Sequence, residues 1–557
     1  MGCNMEDKII HDIEKEIEDI FFEYVAVRSD TCSTHEKAIE VFWANHFDKV
    51  EYFKNNPEHF GFYPISGDLY DRNVSYALLK GTGNETVVLI HHNDVVDTED
   101  FKTLQSLAYS PKELAIELKK ISNELLQEAK EDLLSDEYYF GRGTADMKGG
   151  GAIQIALLDR YSKIKDFKGN ILLLSVPDEE NISAGMRSAV NLMDELKEKY
   201  NLEYLITINS EPHMRSEKSK GVFSVGSVGK SMFFFYVRGS LAHHGKIFEG
   251  INALNILAEI VRETELNLDF ADFEDEEASA PPTWLYIKDR KTCYDVSMPL
   301  GAGGYLSVLS LVSTPKDNMK RLKEVSEKAF EALIERMNKK YRIYREKTNK
   351  PVQNLPWKSK VCSFKDLYDE AYNTYKDKFA KDFENKYIEI NNLLTTGEMN
   401  MLETNLQLTE FIFNYIDDLS PRVVIGMAPP YYPSVTNGKM KKNLGKAENL
   451  DVELTRYAKE ELGENYVTEN YFAGISDLSY TSLENSKSIR DIVKNNMPHF
   501  GRIYDLPLET IEKLSMPGIN IGPWGKDFHK ITERVYKVDL LVNAPKLLNK
   551  AISILLK

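Results

Sequence analysis

Hydrophobic positions in the first third of the chain form short continuous runs that alternate with amphipathic segments. Apolar, β-branched runs occupy 86–92, 170–180 and 203–213, and each ends in polar or acidic residues. Helical patterns lie before and between them, for example at 11–27 and 151–164. Continuous apolar strands separated by helices are typical of parallel sheets with helices on their faces. We therefore predict an α/β fold with a mostly parallel central sheet flanked by helices.

The pattern changes near residue 222. Aromatic and β-branched strand patterns at 231–239 and 303–313 alternate with helical patterns, and a last strand at 422–430 ends in two prolines. These features indicate a second, smaller α+β domain. Within it, a charged and mostly helical stretch at 365–419 is predicted to be an insertion.

The α/β pattern returns after the two prolines and continues to the last residue. We therefore predict one discontinuous larger domain interrupted by a smaller one. The larger domain is expected at 1–221 and 430–557, and the smaller domain at 222–429. The chain shows neither an internal repeat nor a low-complexity tract.

The composition of the 557 residues, 42% hydrophobic and 28% charged, is that of an ordinary globular protein. It excludes a disordered chain, a collagen-like repeat and a disulfide miniprotein. Asp and Glu number 87 against 70 Lys and Arg, which gives a net charge of −17. A chain this acidic is a poor candidate for binding nucleic acid or anionic membranes, but it favours cations. The apolar runs are strand-sized, so we expect no transmembrane helix.

The four cysteines, Cys3, Cys32, Cys293 and Cys362, form no C-x-x-C pair. Four cysteines in a chain of this length do not make a disulfide framework, so we expect reduced thiols and a cytoplasmic protein. The N-terminal segment is charged throughout and lacks the apolar core of a signal peptide.

Side chains that bind metals follow the predicted strands. They lie in His91–Asp94, in Asp178–Glu180, at Glu211, in the glycine-rich segment 141–151 and in the late segment 522–529. Ligands of open α/β sheets gather at the carboxyl ends of the strands. Histidine and carboxylate are the ligand set of a catalytic zinc or a similar divalent ion, and two such ions can activate water and polarise a carbonyl.

Each segment alone also has an ordinary structural explanation. A histidine at a strand end is more often structural, and an Asp-Glu-Glu triplet is more often a solvated turn. Segment 141–151 fails as a dinucleotide fingerprint because Asp146 occupies the third glycine position. Gly229-Lys230-Ser231 fails as a phosphate loop because Ser224 replaces the required glycine and a strand follows.

In combination, the motifs resemble the di-zinc aminoacylase and carboxypeptidase family. This family includes acetylornithine deacetylase, succinyl-diaminopimelate desuccinylase and bacterial glutamate carboxypeptidase. Five motifs occur in the family's order over residues 85–557: His92-x-Asp94, GRG-x-x-Asp146-Met-Lys-Gly, Asp178-Glu179-Glu180, Ser210-Glu211-Pro212 and Gly-Pro…His529…Glu533. The segments HNDVVDTEDF, LAYSPKEL, VVIGMAPPYYPSV, FAGISDLSY and GPWGKDFHKITERV are similar to an arginine-utilisation branch of that family.

The resemblance implies a zinc-dependent exopeptidase-like catalytic domain with an inserted lid domain, and it implies a ligand set. One zinc ion would be bound by His92 and Glu211, and a second by Glu180 and His529. Asp146 would bridge both ions. A site of histidine and carboxylate also accepts manganese or cobalt.

The resemblance also implies catalytic roles. Glu179 would be the general base and later the acid that protonates the leaving amine. Asp94 would hydrogen-bond His92 and fix its tautomer. His243, in the segment Gly239–Gly245, would stabilise the oxyanion, and the histidine at this place reaches the partner subunit's site in several relatives. A homodimer through the lid domain is one possibility, but the insertion at 365–419 lies in the domain that relatives use to dimerise, so the sequence leaves the oligomeric state open.

Two features depart from the family pattern. Relatives with α-carboxylate substrates usually carry an arginine in a lid strand, and the matching strand at 303–313 has none. The spacing from His92 to Asp146 is long, because a helical segment is inserted there. We predict one apolar face for this segment, formed by Leu114, Leu118, Ile121 and Leu125.

The sequence thus predicts a metal-dependent hydrolase that cleaves an amide bond of a dipeptide or N-acyl amino acid, in arginine or amino-acid catabolism. A small peptide or N-acyl amino acid is the expected partner, and neither nucleic acid nor membrane is. One alternative is a non-catalytic homologue that binds an amino-acid derivative or a protein partner. Another is a structural interaction protein built on the helical insertions, which would leave the metal-binding motifs unexplained.

Overall fold

The computed structural model describes residues 5–215, 220–440 and 444–556. The α-helices in these ranges are α1 Met5–Ile10, α2 Glu14–Val25, α3 Ala38–Phe47, α4 Glu51–Asn55, α5 Pro111–Lys120, α6 Gln127–Ser135, α7 Lys148–Tyr161, α8 Ala184–Tyr200, α9 Ala253–Thr264, α10 Pro315–Lys347, α11 Phe364–Thr395, α12 Met401–Ile412, α13 Leu450–Tyr457, α14 Ser486–Asn496, α15 Leu508–Leu514 and α16 Ala544–Leu555.

The strands in the same ranges are β1 Phe60–Pro64, β2 Asn73–Lys80, β3 Glu85–His92, β4 Tyr138–Phe140, β5 Asn170–Val176, β6 Glu203–Asn209, β7 Lys220–Ser224, β8 Gly226–Ser227, β9 Gly229–Arg238, β10 Phe273–Glu274, β11 Glu277–Ala278, β12 Thr283–Asp289, β13 Gly301–Ser310, β14 Val361–Ser363, β15 Arg422–Tyr432, β16 Val435–Thr436, β17 Asn465–Glu469, β18 Gly518–Asn520, β19 Gly525–Lys526 and β20 Arg534–Tyr536.

The chain folds into two compact units. The first comprises Met1–Val228, Pro433–Glu484 and Pro507–Lys557, and the second comprises Gly229–Tyr432 and Asn485–Leu506. The sequence analysis assigned all of 430–557 to the larger domain, so Asn485–Leu506 is a correction to that assignment.

The misassigned segment packs on the second unit through side chains that no local pattern connects to it. His499 is buried and its Nε2 lies 2.7 Å from Thr404 Oγ1 of α12, while Arg502 Nη2 donates to Glu384 Oε2 of α11 at 2.8 Å. An amphipathic helix such as α14 predicts a buried face, but it does not tell which domain covers that face.

The first unit is built on an eight-stranded sheet in the order β1-β2-β5-β3-β6-β18-β7-β17. Strand β3 runs parallel to both β5 and β6, and β6 runs parallel to β18. β1, β2 and the contact of β18 with β7 are antiparallel. Every residue of β5 is buried, as expected for a strand covered on both faces. The predicted α/β fold with a mostly parallel sheet core is confirmed.

The parallel strands bring the predicted site segments to one edge of this sheet. β3 ends at His92, β5 ends two residues before Asp178, and β6 ends two residues before Glu211. The chain passes closely behind this edge: a Cβ atom on Gly150 of α7 would lie 2.1 Å from the Ser210 carbonyl oxygen, and one on Gly522 would lie 2.0 Å from that of Glu211. Glycine at these two positions lets three segments meet.

The segment inserted between His92 and Asp146 forms α5 and α6. Leu114 and Leu118 are buried in a cluster with Phe140 and Trp524, and Leu125 packs against it. Helix α5 ends at Lys120, however, and Ile121 is 40% exposed. The prediction of one continuous helical face is therefore wrong at its C-terminal half.

The second unit contains a five-stranded sheet in the order β12-β13-β9-β15-β14, in which β14 and β15 are parallel and the other pairs are antiparallel. The stretch predicted as an insertion at 365–419 forms most of α11 together with α12. Leu367 and Leu406 pack there in one cluster with Phe234 and Tyr305 of the sheet. None of the helices that the structure describes has the length and apolar character of a membrane-spanning helix.

Candidate metal centre

Asp146 lies between two histidines that come from distant parts of the chain. Its Oδ1 is 2.9 Å from His92 Nε2, and its Oδ2 is 3.2 Å from His529 Nε2. Glu211 Oε1 lies 3.6 Å from His92 Nε2, and Glu180 Oε1 lies 3.0 Å from His529 Nε2. The five residues predicted as ligands therefore meet, and each oxygen of the central carboxylate faces one histidine.

These donors are buried to different degrees. The side chains of His92, Glu211 and Glu180 are at most 9% exposed, whereas that of His529 is 49% exposed. His529 also has a φ of +64°, in the left-handed region, and it lies in a loop after β19. The pair His92 and Glu211 thus lies at the sheet edge, whereas the pair Glu180 and His529 includes a loop residue.

The donor set fits one or two divalent ions. Ligand atoms of His92, Asp146 and Glu180 all lie within 4.8 Å of one another. The His92 Nδ1 lies 3.0 Å from the backbone oxygen of Asp94. Since Nδ1–H donates to this oxygen, Nε2 is the nitrogen that would bind a metal once its own proton is displaced.

Charge in the cluster shifts the histidines toward the cationic form. Hydrogen bonds with Asp146 and Glu180 raise the pKa of His529 to about 10. Burial lowers the pKa of His92, but Glu211 and Asp146 outweigh it and raise that pKa well above 6.5. Metal binding must displace such protons, so the affinity of this site for metal falls as pH falls.

Glu179 is the predicted general base. It is 8% exposed, and burial raises the pKa of its carboxyl well above the ordinary value, with His92 acting in the opposite direction. Its backbone N–H donates to Asp94 Oδ1 at 3.0 Å, and that of Glu180 donates to Asp94 Oδ2 at 3.1 Å.

The structure corrects the contact expected of Asp94. Its Oδ1 lies 3.6 Å from His92 Nδ1, which is longer than a hydrogen bond, and the backbone carbonyl takes that place instead. The carboxylate binds the two N–H groups of the turn at Glu179 and Glu180, because that turn after β5 lies beside it at the sheet edge.

The sequence analysis did not predict the buried ion pairs that hold Asp178. Arg72 Nη1 donates to Asp178 Oδ1 and to Glu36 Oε1, each at 2.7 Å, and Arg72 Nη2 lies 2.6 Å from Asp68 Oδ1. Glu36 Oε2 in turn accepts the backbone N–H of Asp178 at 3.0 Å. These residues fix the turn that carries Glu179, and no local motif marks them.

Glu533 holds the backbone at Asp146 in a similar way. Its Oε1 accepts the backbone N–H of Ala145 and of Asp146, both at 3.3 Å, and its Oε2 accepts from Arg142 Nη1 at 2.7 Å. Burial raises the pKa of Glu533 to about 7, and Arg142 opposes this shift. The late motif containing His529 therefore also orients Asp146.

Two further residues bear on the site. His91 is buried between Tyr24 and Gln154, with ring nitrogens at 3.1 and 2.9 Å from them, so it is a structural histidine. Asp477, in FAGISDLSY, is buried, and burial raises its pKa to about 7 while His92 opposes the shift. The motif was noted in the sequence, but Asp477 was not identified as a site residue.

His243 lies in the second unit, at the start of the short helix His244–Glu249. Its Nδ1 accepts the backbone N–H of Gly245 at 3.1 Å. His244 is different, because its Nδ1 lies 3.2 Å from the Val296 carbonyl oxygen and must donate to it. In the neutral form, His243 therefore presents Nε2–H as a donor and His244 presents Nε2 as an acceptor.

Comparison with known proteins identifies the family. The sequence profile of Peptidase family M20/M25/M40 matches residues 126–551. The chain belongs to this family. The resemblance deduced from the motifs is confirmed, and the protein is a metal-dependent hydrolase of peptide-type bonds that uses divalent metal.

Two relatives of this M20/M25/M40 peptidase are from Bacillus subtilis strain 168. The chain is 33% identical over 511 residues to the uncharacterized protein YqjN, covering 91% of this chain and 90% of YqjN. It is 30% identical over 499 residues to the protein RocB, covering 87% and 85%.

Among solved structures, aminopeptidase PepT from Bacillus cereus and human carnosine dipeptidase 1 share the fold. The TM-score is 0.52 for each, with 14% and 12% identity. The alignments cover 99% of this chain and 100% of PepT, and 100% of both chains for the dipeptidase.

We predict that Arg72→Met destabilises this peptidase by about 3–5 kcal/mol, because it leaves Glu36 and Asp178 buried without their cation. Urea unfolding followed by circular dichroism measures the change. Lys513→Met is the control: Lys513 pairs with Asp194 and Glu198 on the surface of the first unit and is 51% exposed. Equal stabilities of the two variants would contradict the role given to Arg72.

Proposed function

We propose that this peptidase cleaves the amide bond of a dipeptide or an N-acyl amino acid in arginine or amino-acid catabolism, using two divalent ions, with zinc as the first candidate. The observation that carries the proposal is Asp146, whose two oxygens each face a different histidine. A carboxylate in this position suits a pair of ions rather than one.

Each ion would have its own protein ligands. His92, Glu211 and Asp146 Oδ1 would hold one, and His529, Glu180 and Asp146 Oδ2 would hold the other. When bound, two divalent ions polarise the scissile carbonyl and lower the pKa of a water molecule between them. Glu180 Oε1 is buried and lies 3.0 Å from His529 Nε2, which supports the assignment of both atoms to one ion.

Glu179 would move the proton. Without metal its pKa is raised by burial, and two adjacent dications would lower it by Coulombic attraction. The ionised carboxylate takes a proton from the attacking water and passes it to the amide nitrogen, which then leaves as an amine. Asp94 holds the backbone of Glu179, so the base keeps a fixed position through both transfers.

His243 would complete the oxyanion site. The contact of its Nδ1 with Gly245 N leaves Nε2–H as the donor that a developing oxyanion needs.

We further propose a homodimer formed through the second unit. Among the described strands β12 pairs only with β13, and it exposes Leu285 and Ile287. A cytoplasmic location rests on the cysteines: Cys32, Cys293 and Cys362 are free thiols, and Cys3 lies outside the described residues.

We expect chelation to abolish hydrolysis and Zn²⁺, Mn²⁺ or Co²⁺ to restore it. The measurement is release of free amino acid from a panel of dipeptides and N-acyl amino acids that includes arginine and ornithine derivatives. Bound metal is counted on the same samples. A protein that binds metal and derivatives from the panel but hydrolyses none would be the non-catalytic homologue instead.

Glu179→Gln should abolish turnover and leave bound metal unchanged. Loss of a general base costs about 10²–10⁴-fold in rate, and here the same group also serves as the acid. The variant keeps the size of the side chain and the backbone contact with Asp94. Activity within about tenfold of the wild type would refute the role.

His243→Ala should lower kcat by about 10²-fold or more, since one oxyanion donor contributes about 2.7–4 kcal/mol. His244→Ala is the matched control and should leave kcat nearly unchanged. Mixing inactive Glu179→Gln chains with His243→Ala chains restores activity if the partner subunit donates His243, and does not if the same chain does. The oxyanion role fails if kcat of His243→Ala stays within a few-fold of the wild type.

A further inference from the structure

The loop that carries His529 begins and ends at two like charges. Lys526 of β19 lies directly opposite Arg534 of β20 in an antiparallel pair. Cβ atoms of such partners are about 4.5–5.5 Å apart, and like charges there destabilise the pairing. The seven residues between them include His529, so repulsion between Lys526 and Arg534 acts on the two ends of this loop.

Asp132 of α6 neutralises both charges. Its Oδ2 accepts from Lys526 Nζ at 2.8 Å and from Arg534 Nε at 2.7 Å. The Arg534 side chain is 1% exposed and also pairs with Asp527, and Lys526 Nζ also lies 2.8 Å from Glu128 Oε1. Asp132 is the carboxylate that the two cations share. Helix α6 is itself anchored, because Ala129 and Leu133 on its inner face are buried.

Arg534 also contacts a residue of the loop itself. Its Nη1 donates to Asp527 Oδ2, which also accepts from Thr532 Oγ1 at 2.9 Å. Asp527 and His529 both have positive φ, at +54° and +64°. A half-exposed ligand on such a backbone depends on these side-chain bonds for its position, whereas His92 is fixed by β3.

We propose that Asp132 is a positioning residue for His529, so that the insertion containing α5 and α6 serves to complete the Glu180–His529 metal subsite. The inference rests on the proposed function, in which that pair binds a divalent ion. The insertion then has a role in metal binding. Without the charge of Asp132, repulsion between Lys526 and Arg534 would push the two strands apart and make the loop less ordered.

The test is a calorimetric titration of metal-free protein with Zn²⁺. The wild type should bind two ions, and Asp132→Asn should weaken one of the two steps about 10–100-fold, the usual effect of removing a group that orients a metal ligand. The other step and the thermal unfolding temperature should stay close to the wild type. Glu131→Gln is the charge-matched control, because Glu131 contacts Gln127 on the exposed face of α6, and both steps should persist unchanged.

A second variant separates neutralisation from general stability. Lys526→Met removes one of the two like charges, so the double variant Asp132→Asn/Lys526→Met should recover most of the lost affinity. It also keeps the test usable if Asp132→Asn alone does not fold. Two unchanged steps in Asp132→Asn, equal weakening of both steps, or the same loss in Glu131→Gln would overturn the inference. A wild type that binds no zinc would instead contradict the proposed function.

Discussion

Mutual repulsion among buried carboxylates is the constraint on which the site depends. Asp94, Asp146, Glu179, Glu180 and Glu211 meet at one edge of the central sheet, and burial opposes the charge of each. The fold compensates with His92 and His529 at the centre and with Arg72 and Arg142 behind it. Bound divalent metal would compensate the negative charge that remains.

The supporting residues act mainly through the backbone. Asp94 holds the N–H groups of Glu179 and Glu180, Glu36 holds that of Asp178, and Glu533 holds those of Ala145 and Asp146. Buried carboxylates that accept backbone N–H groups thus orient other carboxylates. This arrangement stabilises turns that would otherwise carry unpaired buried N–H groups.

The two donor groups of the site differ in how they are held. His92 and Glu211 follow buried parallel strands, where the sheet itself determines their positions. His529 lies on a loop whose two ends, Lys526 and Arg534, are paired strand residues, and Arg534 donates to Asp132. The insertion therefore contacts the site where regular structure contributes least, next to the loop of the half-exposed His529.

The sequence by itself determined the sheet, the order of its motifs and the five residues of the cluster centred on Asp146. Strand ends are local features, and parallel pairing places their carboxyl ends at one edge. The different roles expected of Glu179 and Glu180 came from the family resemblance of their motif.

Tertiary structure alone decided the rest. Two partners of Arg72, Glu36 and Asp178, are 36 and 106 residues away, and Asp132 meets Arg534 across 402 residues. The segment Asn485–Leu506 packs on the second unit through His499 and Arg502. The carboxylate of Asp94 accepts the backbone N–H of Glu179 in the turn after β5. Periodicity and motif spacing indicate which residues share a face or a strand end. They do not indicate which distant charged residue pairs with a buried one, because that depends on tertiary packing and on the cost of an unpaired buried charge.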